Sequence, residues 1–532
     1  MKKYIILSFT TLCVLNVVYT QILFNKKYDF GYPAAIFQGA VAVGDSIIIS
    51  GFVGDHIAPY PNRSFIGVAN QSGDINYFQI IDTTDKNYWV IPASITKSEL
   101  GNYYFTSGLF NDTITHGYRG FLYKFDTYLN KVFMAEYYPD NNINSLIVEN
   151  HVEYNKDTIA LLCSLWKMNA QGDFYDSDIL LILADSAGNE YSHFQYTDNI
   201  YDCRGFSIEK CDKGLLSASF KVKRYNDNGV WKYANYPNVV LYDIQGNTLQ
   251  SYSTPSLDYR SSMWATATQD NGYLFCGAKF YNVVDPLGSP HVAQSYTHGY
   301  IEKLNQNFVK QWGLVLGKDS GYKRFNKIIE TKQGGNYIAA GFEGIQYSHN
   351  VSPDSIHNDS SMLAGWAVKV SSTGNIIWNR HYQIVYGMGE QLFSDILEQS
   401  DGSLVMSGVA YDESPNATAG TNAWVCKTDS FGCLIPGCQT VGIAENTPIE
   451  NSLKLYPNPT NDRLFLYYNN PQYKNYVFTI TDLTGREVVP NTPLQSSTTY
   501  EIVVRDWAKG LYFVRVFDTE GQNVYTEKFV KE

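Results

Sequence analysis

"KIIETKQGGNYIAAGF" (Lys327–Phe342) decides the fold. An apolar run meets a Gly-rich turn, and a second apolar run ends in a small residue. That pattern reads as two antiparallel strands joined by a tight turn. Six further stretches repeat it: "QGAVAVGDSIIISGF" (Gln38–Phe52), "ASITKSELGNYYFTSGLF" (Ala93–Phe110), "IVENHVEYNKDTIALLCSLW" (Ile147–Trp166), "GFSIEKCDKGLLSASF" (Gly205–Phe220), "ATATQDNGYLFCGAKF" (Ala265–Phe280) and "DILEQSDGSLVMSGVA" (Asp395–Ala410). The small residue falls at Gly51, Gly108, Ser164, Ser219, Gly277, Gly341 and Gly408, a spacing of 55 to 67 residues.

Each copy is followed by a loop and a second hairpin, as in "VLYDIQGNTLQSY" (Val240–Tyr252) and "VKVSSTGNIIWNR" (Val368–Arg380). A repeat therefore holds four strands, A to D. One four-stranded sheet cannot bury both faces, whereas a radial stack of them can. The expected fold class is all-β: a seven-bladed β-propeller with four-stranded blades, then a small Ig-like β-sandwich. An open solenoid is the alternative for the body. The seventh repeat runs into Pro436 and Gly437 before a fourth strand. The strand-like "QILFNKKYDF" (Gln21–Phe30) lies outside every repeat and is expected to supply that strand, closing the ring and hiding its edges.

Composition agrees. Aromatics make up 15% of the 532 residues, with 43 Tyr, which favours strands. A net charge of -12 and the lack of a Lys/Arg run exclude nucleic acid and a polybasic membrane contact. "MKKYIILSFTTLCVLNVVYTQ" has a basic start and a short apolar core, the pattern of a secretory signal peptide over 1–20. The remaining divisions are the repeats at 21–438, a polar linker at 439–452 and a terminal cassette at 453–532. Seven cysteines lie beyond the signal, an odd number. Cys433 and Cys438 flank "LIPG" and are the one plausible disulfide; no His/Cys group has zinc spacing.

The B–C loops hold His56, His116, His291, His298, His349 and His357, six of the nine histidines. Tyr60, Tyr118, Tyr175, Trp231, Tyr233, Tyr296 and Tyr347 join them. Aromatics beside polar groups suit stacking on sugar rings or docking of a peptide. These residues are the candidate ligand set. Tyr-rich loops that merely pack on one another are the competing explanation. No nucleophile elbow, zinc-protease motif or phosphate loop is present, so no catalytic residue is named. No cofactor or metal is expected, although Asp354 and Asp359 in "DSIHNDSS" offer a weak calcium pattern. Three functions stay open: a binding module for glycan or protein first, with a glycan hydrolase or lyase using carboxylates from different blades, or a structural surface protein, as alternatives.

The cassette opens "LKLYPNPTNDRLFLYY" (Leu453–Tyr468) and continues with "DLTGREV" (Asp482–Val488), "KGLYFVRV" (Lys509–Val516) and "EKFVKE" (Glu527–Glu532). These motifs together resemble the type A sorting domain of the type IX (Por) secretion system of Bacteroidota. The resemblance rests on Tyr456, Pro457, Asn458, Pro459, Leu464, Gly485, Gly510 and Tyr512. It implies export across both membranes, recognition by the outer-membrane translocon, and removal of the cassette by a sortase-like peptidase within the linker. It implies no chemistry for the body.

Overall fold

A computed structural model describes residues 22–435, 438 and 453–532, apart from 55–61, 82–86, 90–93, 112–116, 139–144, 169–173, 199, 228–229, 254–259, 284–293, 318–321, 347–360, 386–388, 413–419, 469–475, 495–497 and 518–522. The expected signal peptide and linker lie outside the described residues. Two compact units divide the chain, Met1–Ile435 and Pro436–Glu532. Among the described residues there is no helix; all regular structure is strand.

The body opens with Phe24–Tyr28 (β1). Antiparallel meanders follow. The first is Ala34–Val43, Ser46–Gly54, Asn62–Asn70 and Ile75–Ile80 (β2–β5). In the second, Asn87–Trp89 (β6) and Ile95–Lys97 (β7) share one edge of Tyr103–Asn111 (β8), which leads into Gly117–Phe125 (β9) and Lys131–Tyr137 (β10). Next come Ser145–Asn155, Thr158–Met168, Phe174–Ala184 and Glu190–Tyr196 (β11–β14). Asp202–Cys211, Gly214–Asp227, Val230–Tyr242 and Thr248–Ser253 (β15–β18) form another meander. Arg260–Ala267, Tyr273–Val283, Gln294–Leu304 and Lys310–Leu316 (β19–β22) repeat the order, as do Lys323–Glu330, Asn336–Gln346, Ser361–Ser371 and Ile376–Tyr382 (β23–β26). The last has Gly389–Glu398, Leu404–Asp412 and Thr421–Thr428 (β27–β29). Its missing fourth strand is β1, which pairs antiparallel to β29 with Phe24 opposite Lys427 and Tyr28 opposite Ala423. Single parallel pairs, Ala34 with Thr421 and Leu363 with Glu390, join the first, sixth and last meanders into one twelve-stranded sheet.

Packing between meanders is cyclic. Each apolar cluster is shared by two neighbours, because a sheet with both faces apolar must be covered on both. Phe52 and Ile66 pack with Phe105 and Phe125. Leu122 packs with Leu161, and Leu181 with Val240. Val239 packs with Phe275, Ile301 with Trp366, and Ile338 with Trp424. The cycle returns when Phe37 and Phe65 of the first meander pack with Val405 and Val425 of the last.

The first strands of neighbouring meanders pack against one another, as inner strands of the body, and most carry a β-bulge at one position. The register slips between Phe37 and Gly39, Val148 and Asn150, Gly205 and Ser207, Ser262 and Trp264, Phe325 and Lys327, and Phe393 and Asp395. A bulge turns the backbone and re-aims side chains. It also explains the small residue that marks the repeat. A Cβ at Gly51, Gly341 or Gly408 would sit 1.9 Å from the carbonyl oxygen of Ile36, Arg324 or Leu392. In the third repeat this register slot falls on Cys163, opposite Val148, and not on the neighbouring Ser164.

The C–D turns share a second device. Asp126, Asp185 and Asp243 each accept, through Oδ1, the backbone N–H groups two and four residues on. These bonds hold their carboxyls below the usual range, with the side-chain amides of Asn130, Asn189 and Asn247 first among the causes.

The second unit has two sheets. Leu453–Tyr456 (β30), Arg463–Tyr468 (β31), Tyr476–Asp482 (β32), Glu487–Leu494 (β33), Thr498–Val503 (β34), Gly510–Phe517 (β35) and Asn523–Lys531 (β36) form the orders β30-β31-β34 and β33-β32-β35-β36. Leu464 and Leu466 of one sheet meet Phe478, Val514 and Phe529 of the other in a common core. β34, "TTYEIV", was not anticipated, since its short polar start hides the alternation.

Candidate functional site

The histidine-rich loops give little of the site. His56, Tyr60, His116, His291, Tyr347, His349, His357, Asp354 and Asp359 lie outside the described residues. Tyr175 falls on β13, and Tyr296 on β21 opposite Tyr281. The segment holding Trp231 and Tyr233, read as a loop, is a hairpin whose pairing continues to Asp227 and Val230. Trp231 stands opposite Asn226 and Tyr233 opposite Arg224. His298, opposite Lys279 on β21, is buried at 8% exposure, so it belongs to the sheet and not to an open loop.

Tyr118 is the predicted residue that leads to an organised cluster. It is half-buried at the start of β9 and meets the Trp166 ring edge-on at 6.2 Å. Trp166, near the end of β12, lies 5.4 Å from the Arg204 guanidinium. Arg204 is likewise 5.4 Å from the ring of Phe206, the residue bulged from β15, and Phe206 stacks on Phe220 at 5.1 Å. The guanidinium is thus held between aromatic rings, a geometry suited to a planar cation.

Beneath Arg204 lies Glu149, bulged from β11 and 1% exposed. It accepts hydrogen bonds from Arg204 Nε at 3.2 Å and from the Ser164 hydroxyl at 2.7 Å. Burial pushes its carboxyl above the usual range, against the pull of Arg204 and Ser164.

A second arginine, Arg324, repeats part of this arrangement in another meander. It occupies in β23 the register slot that Arg204 has in β15: each precedes the bulge and pairs with a Phe on the next strand, Phe342 and Phe220 respectively. Its guanidinium lies 5.3 Å from the Phe342 ring. Its Nε is buried and without a hydrogen-bond partner. Among the described residues no carboxylate pairs with Arg324. Burial, and then the charge of Arg204, lower its pKa to about 10.

Sequence reasoning missed Arg204, Arg324, Glu149, Trp166 and Phe206 because it looked in the loops. The available signal was an arginine inside an inner strand at the same offset in two repeats, "CRGF" (Cys203–Phe206) and "KRFN" (Lys323–Asn326).

Below the arginines, side chains tie one inner strand to the next. Asn150 Oδ1 accepts from Ile208 N at 3.4 Å, and Ser207 Oγ from Ala265 N at 3.2 Å. Asp395 Oδ2 accepts from Ala40 N at 2.9 Å, and its Oδ1 accepts from Lys327 Nζ at 2.6 Å. Lys327 also lies 4.6 Å from the Trp264 ring, whose Nε1 donates to Glu209 at 2.7 Å. No group of three or more His, Cys, Asp or Glu side chains suited to a metal ion occurs among the described residues.

Cys433 and Cys438 are disulfide-bonded. In the second unit the Tyr456–Pro459 motif fastens the end of the chain. Asn458 Nδ2 donates to Lys528 O at 3.0 Å, and Asn458 Oδ1 accepts from Val530 N at 3.0 Å. Thr460 adds backbone bonds to Val530 and Glu532. Tyr456 stacks on Phe465, and Leu464 is fully buried. Gly485 adopts φ 82° in its turn and Gly510 φ 153° at the head of β35, conformations that suit glycine. Tyr512 stacks on Phe529 at 5.5 Å and donates its hydroxyl hydrogen to Ala508 O.

Residues 454–532 match the family model described as the secretion system C-terminal sorting domain. The chain ends in a type IX sorting domain. The protein carrying this sorting domain is exported to the cell surface or secreted, and the sorting domain is the part that engages the type IX machinery. No curated protein matches the chain. Among solved structures, an α-L-arabinofuranosidase (Arb93A) from Fusarium graminearum is similar at 12% identity, covering 75% of this chain and 96% of its own, with a TM-score of 0.34. An ulvan lyase of polysaccharide lyase family PL25 is similar at 9% identity, covering 76% and 96%, with a TM-score of 0.44. Drosophila Semaphorin 2a is similar at 8% identity, covering 95% and 97%, with a TM-score of 0.43. Likenesses at this level carry no inference about activity.

Proposed function

We propose that the body is a seven-bladed β-propeller that binds an extracellular glycan at the mouth of its inner ring, and that the sorting domain, with an Ig-like topology, is cleaved away within 439–452 after delivery. The observation that carries the binding reading is Arg204 held between Trp166 and Phe206, with Tyr118 against Trp166. Half-buried aromatic faces beside a fixed hydrogen-bond donor are what a sugar ring needs: an apolar face to stack on and a polar group to orient it. The inner-strand ties hold this cluster on rigid strands, which suits recognition.

The test is calorimetric titration of the secreted protein with a panel of polysaccharides and short oligosaccharides. Saturable binding is expected, weakened at least tenfold by Trp166→Ala with the thermal midpoint kept. A panel that yields only non-saturable heats, or Trp166→Ala binding as tightly as the parent, would sink the reading.

A further inference from the structure

The cation pair at the mouth raises a charge question that glycan stacking alone does not answer. Arg204 and Arg324 hold equivalent register slots on the first strands of meanders two repeats apart, and each guanidinium lies against an aromatic ring, Phe206 and Phe342. After burial, the charge of Arg204 is a further cause of the lowered Arg324 pKa. Among the described residues, Glu149 forms its ion pair with Arg204 and not with Arg324. Arg324 touches the Phe342 ring and has a buried, unsatisfied Nε. A half-buried guanidinium with no acid beside it among the described residues is unfavourable in the unliganded protein. The chain as a whole carries -12, so an uncompensated cation is not a product of overall composition. Between the two arginines, the fifth repeat places the small Ser261 at the same register position, opposite Ala278.

We infer that the space beside Arg324 and Arg204 takes the carboxylate of a uronic-acid sugar, whose ring stacks on the aromatic side chains around Arg204. A guanidinium presents two parallel N–H donors that match the two oxygens of a carboxylate, and the pairing is strong where water is partly excluded. The inference rests on the glycan-binding reading and narrows it to acidic sugars. Arg324 supplies the charge recognition, and Trp166 with Tyr118 supplies the apolar platform. The ligand's negative charge relieves the repulsion between the arginines, so binding and stability are linked.

The experiment titrates the secreted protein with three oligouronates (oligogalacturonate, oligoalginate and unsulfated chondroitin) and with carboxyl-reduced counterparts of equal length. At least one oligouronate is expected to bind tenfold or more tightly than its reduced form, with affinity falling as salt rises. Arg324→Gln and Arg324→Lys should both erase that preference, the second because an ammonium lacks the fork. Arg324→Gln should also leave the unliganded thermal midpoint equal or higher, which shows the variant is folded. Equal binding of charged and reduced oligomers, lost in Trp166→Ala and unchanged in Arg324→Gln, overturns the uronate assignment and leaves glycan binding intact. A sulfated neutral oligomer that binds as tightly as the oligouronates also overturns it. No binding by any oligosaccharide overturns both readings.

Discussion

His151 shows how much one buried side chain can fix. It is 1% exposed, with Nε2 2.8 Å from the Thr96 hydroxyl and Nδ1 3.2 Å from the Thr106 hydroxyl. Burial lowers its pKa to about 4, so the ring is neutral in the fold. The unfolded chain takes up the proton near the ordinary value of about 6.5. His151 therefore contributes stability above about pH 6.5 that is lost progressively as pH falls toward 4. The loss reaches at most about 3 kcal/mol. Urea unfolding at pH 7 and pH 4.5 should show this difference, and His151→Gln should shrink it. The sequence could not reveal this role: "ENHVEY" gives a histidine on a strand but not the two threonines that meet it from another repeat. Arg324 was hidden for the same reason, since an arginine in a strand reads as surface until the neighbouring sheet covers it. Where a residue's role is local, the reading held. Gly485 takes its positive φ in the turn where "DLTGREV" placed it.

At the scale of elements, the hairpins were legible because period-two alternation and Gly-containing turns are local signals. The bulges were not, since a bulge is a relation between two strands. Their consequence is the row of ties between inner strands, and Asp395 makes the one that joins the last meander to the first. It accepts from Ala40 N and from Lys327 Nζ while 1% exposed. Removing it takes the carboxylate from the half-buried Lys327, which keeps the Trp264 ring, and leaves the Ala40 N–H without its acceptor. Asp395→Ala should lower stability by roughly 3–5 kcal/mol. Asp395→Asn, which keeps the acceptor for Ala40, should lose less. Thermal unfolding of the two variants beside the parent checks the order, and equal midpoints for all three would remove Asp395 from the closure.

For the whole molecule, the division at Ile435 and Pro436 separates a body with its own cores from a sorting domain with its own. A chain ending at residue 438 should fold its body, with the parent's far-UV signature, yet accumulate in the periplasm; recovery in the medium at parental levels would refute the address role of the sorting domain. The start of the chain and its terminal motifs pointed to export, and the composition to strands, but neither pointed to a ligand. The aromatic and arginine cluster draws side chains from the second, third and fourth meanders, a convergence that no window of sequence contains.

The pairing of β1 with β29 also sets a timetable. Asn25 accepts the indole hydrogen of Trp424, a partner made 399 residues later by the ribosome. The first of the described strands is thus the last to find its place. Such distant pairing slows folding, and until it happens β29 offers a bare edge to any other chain nearby. The sheet therefore stays unfinished until both ends of the body are present, and a chain cut before Thr421 leaves Phe24–Tyr28 without its partner strand.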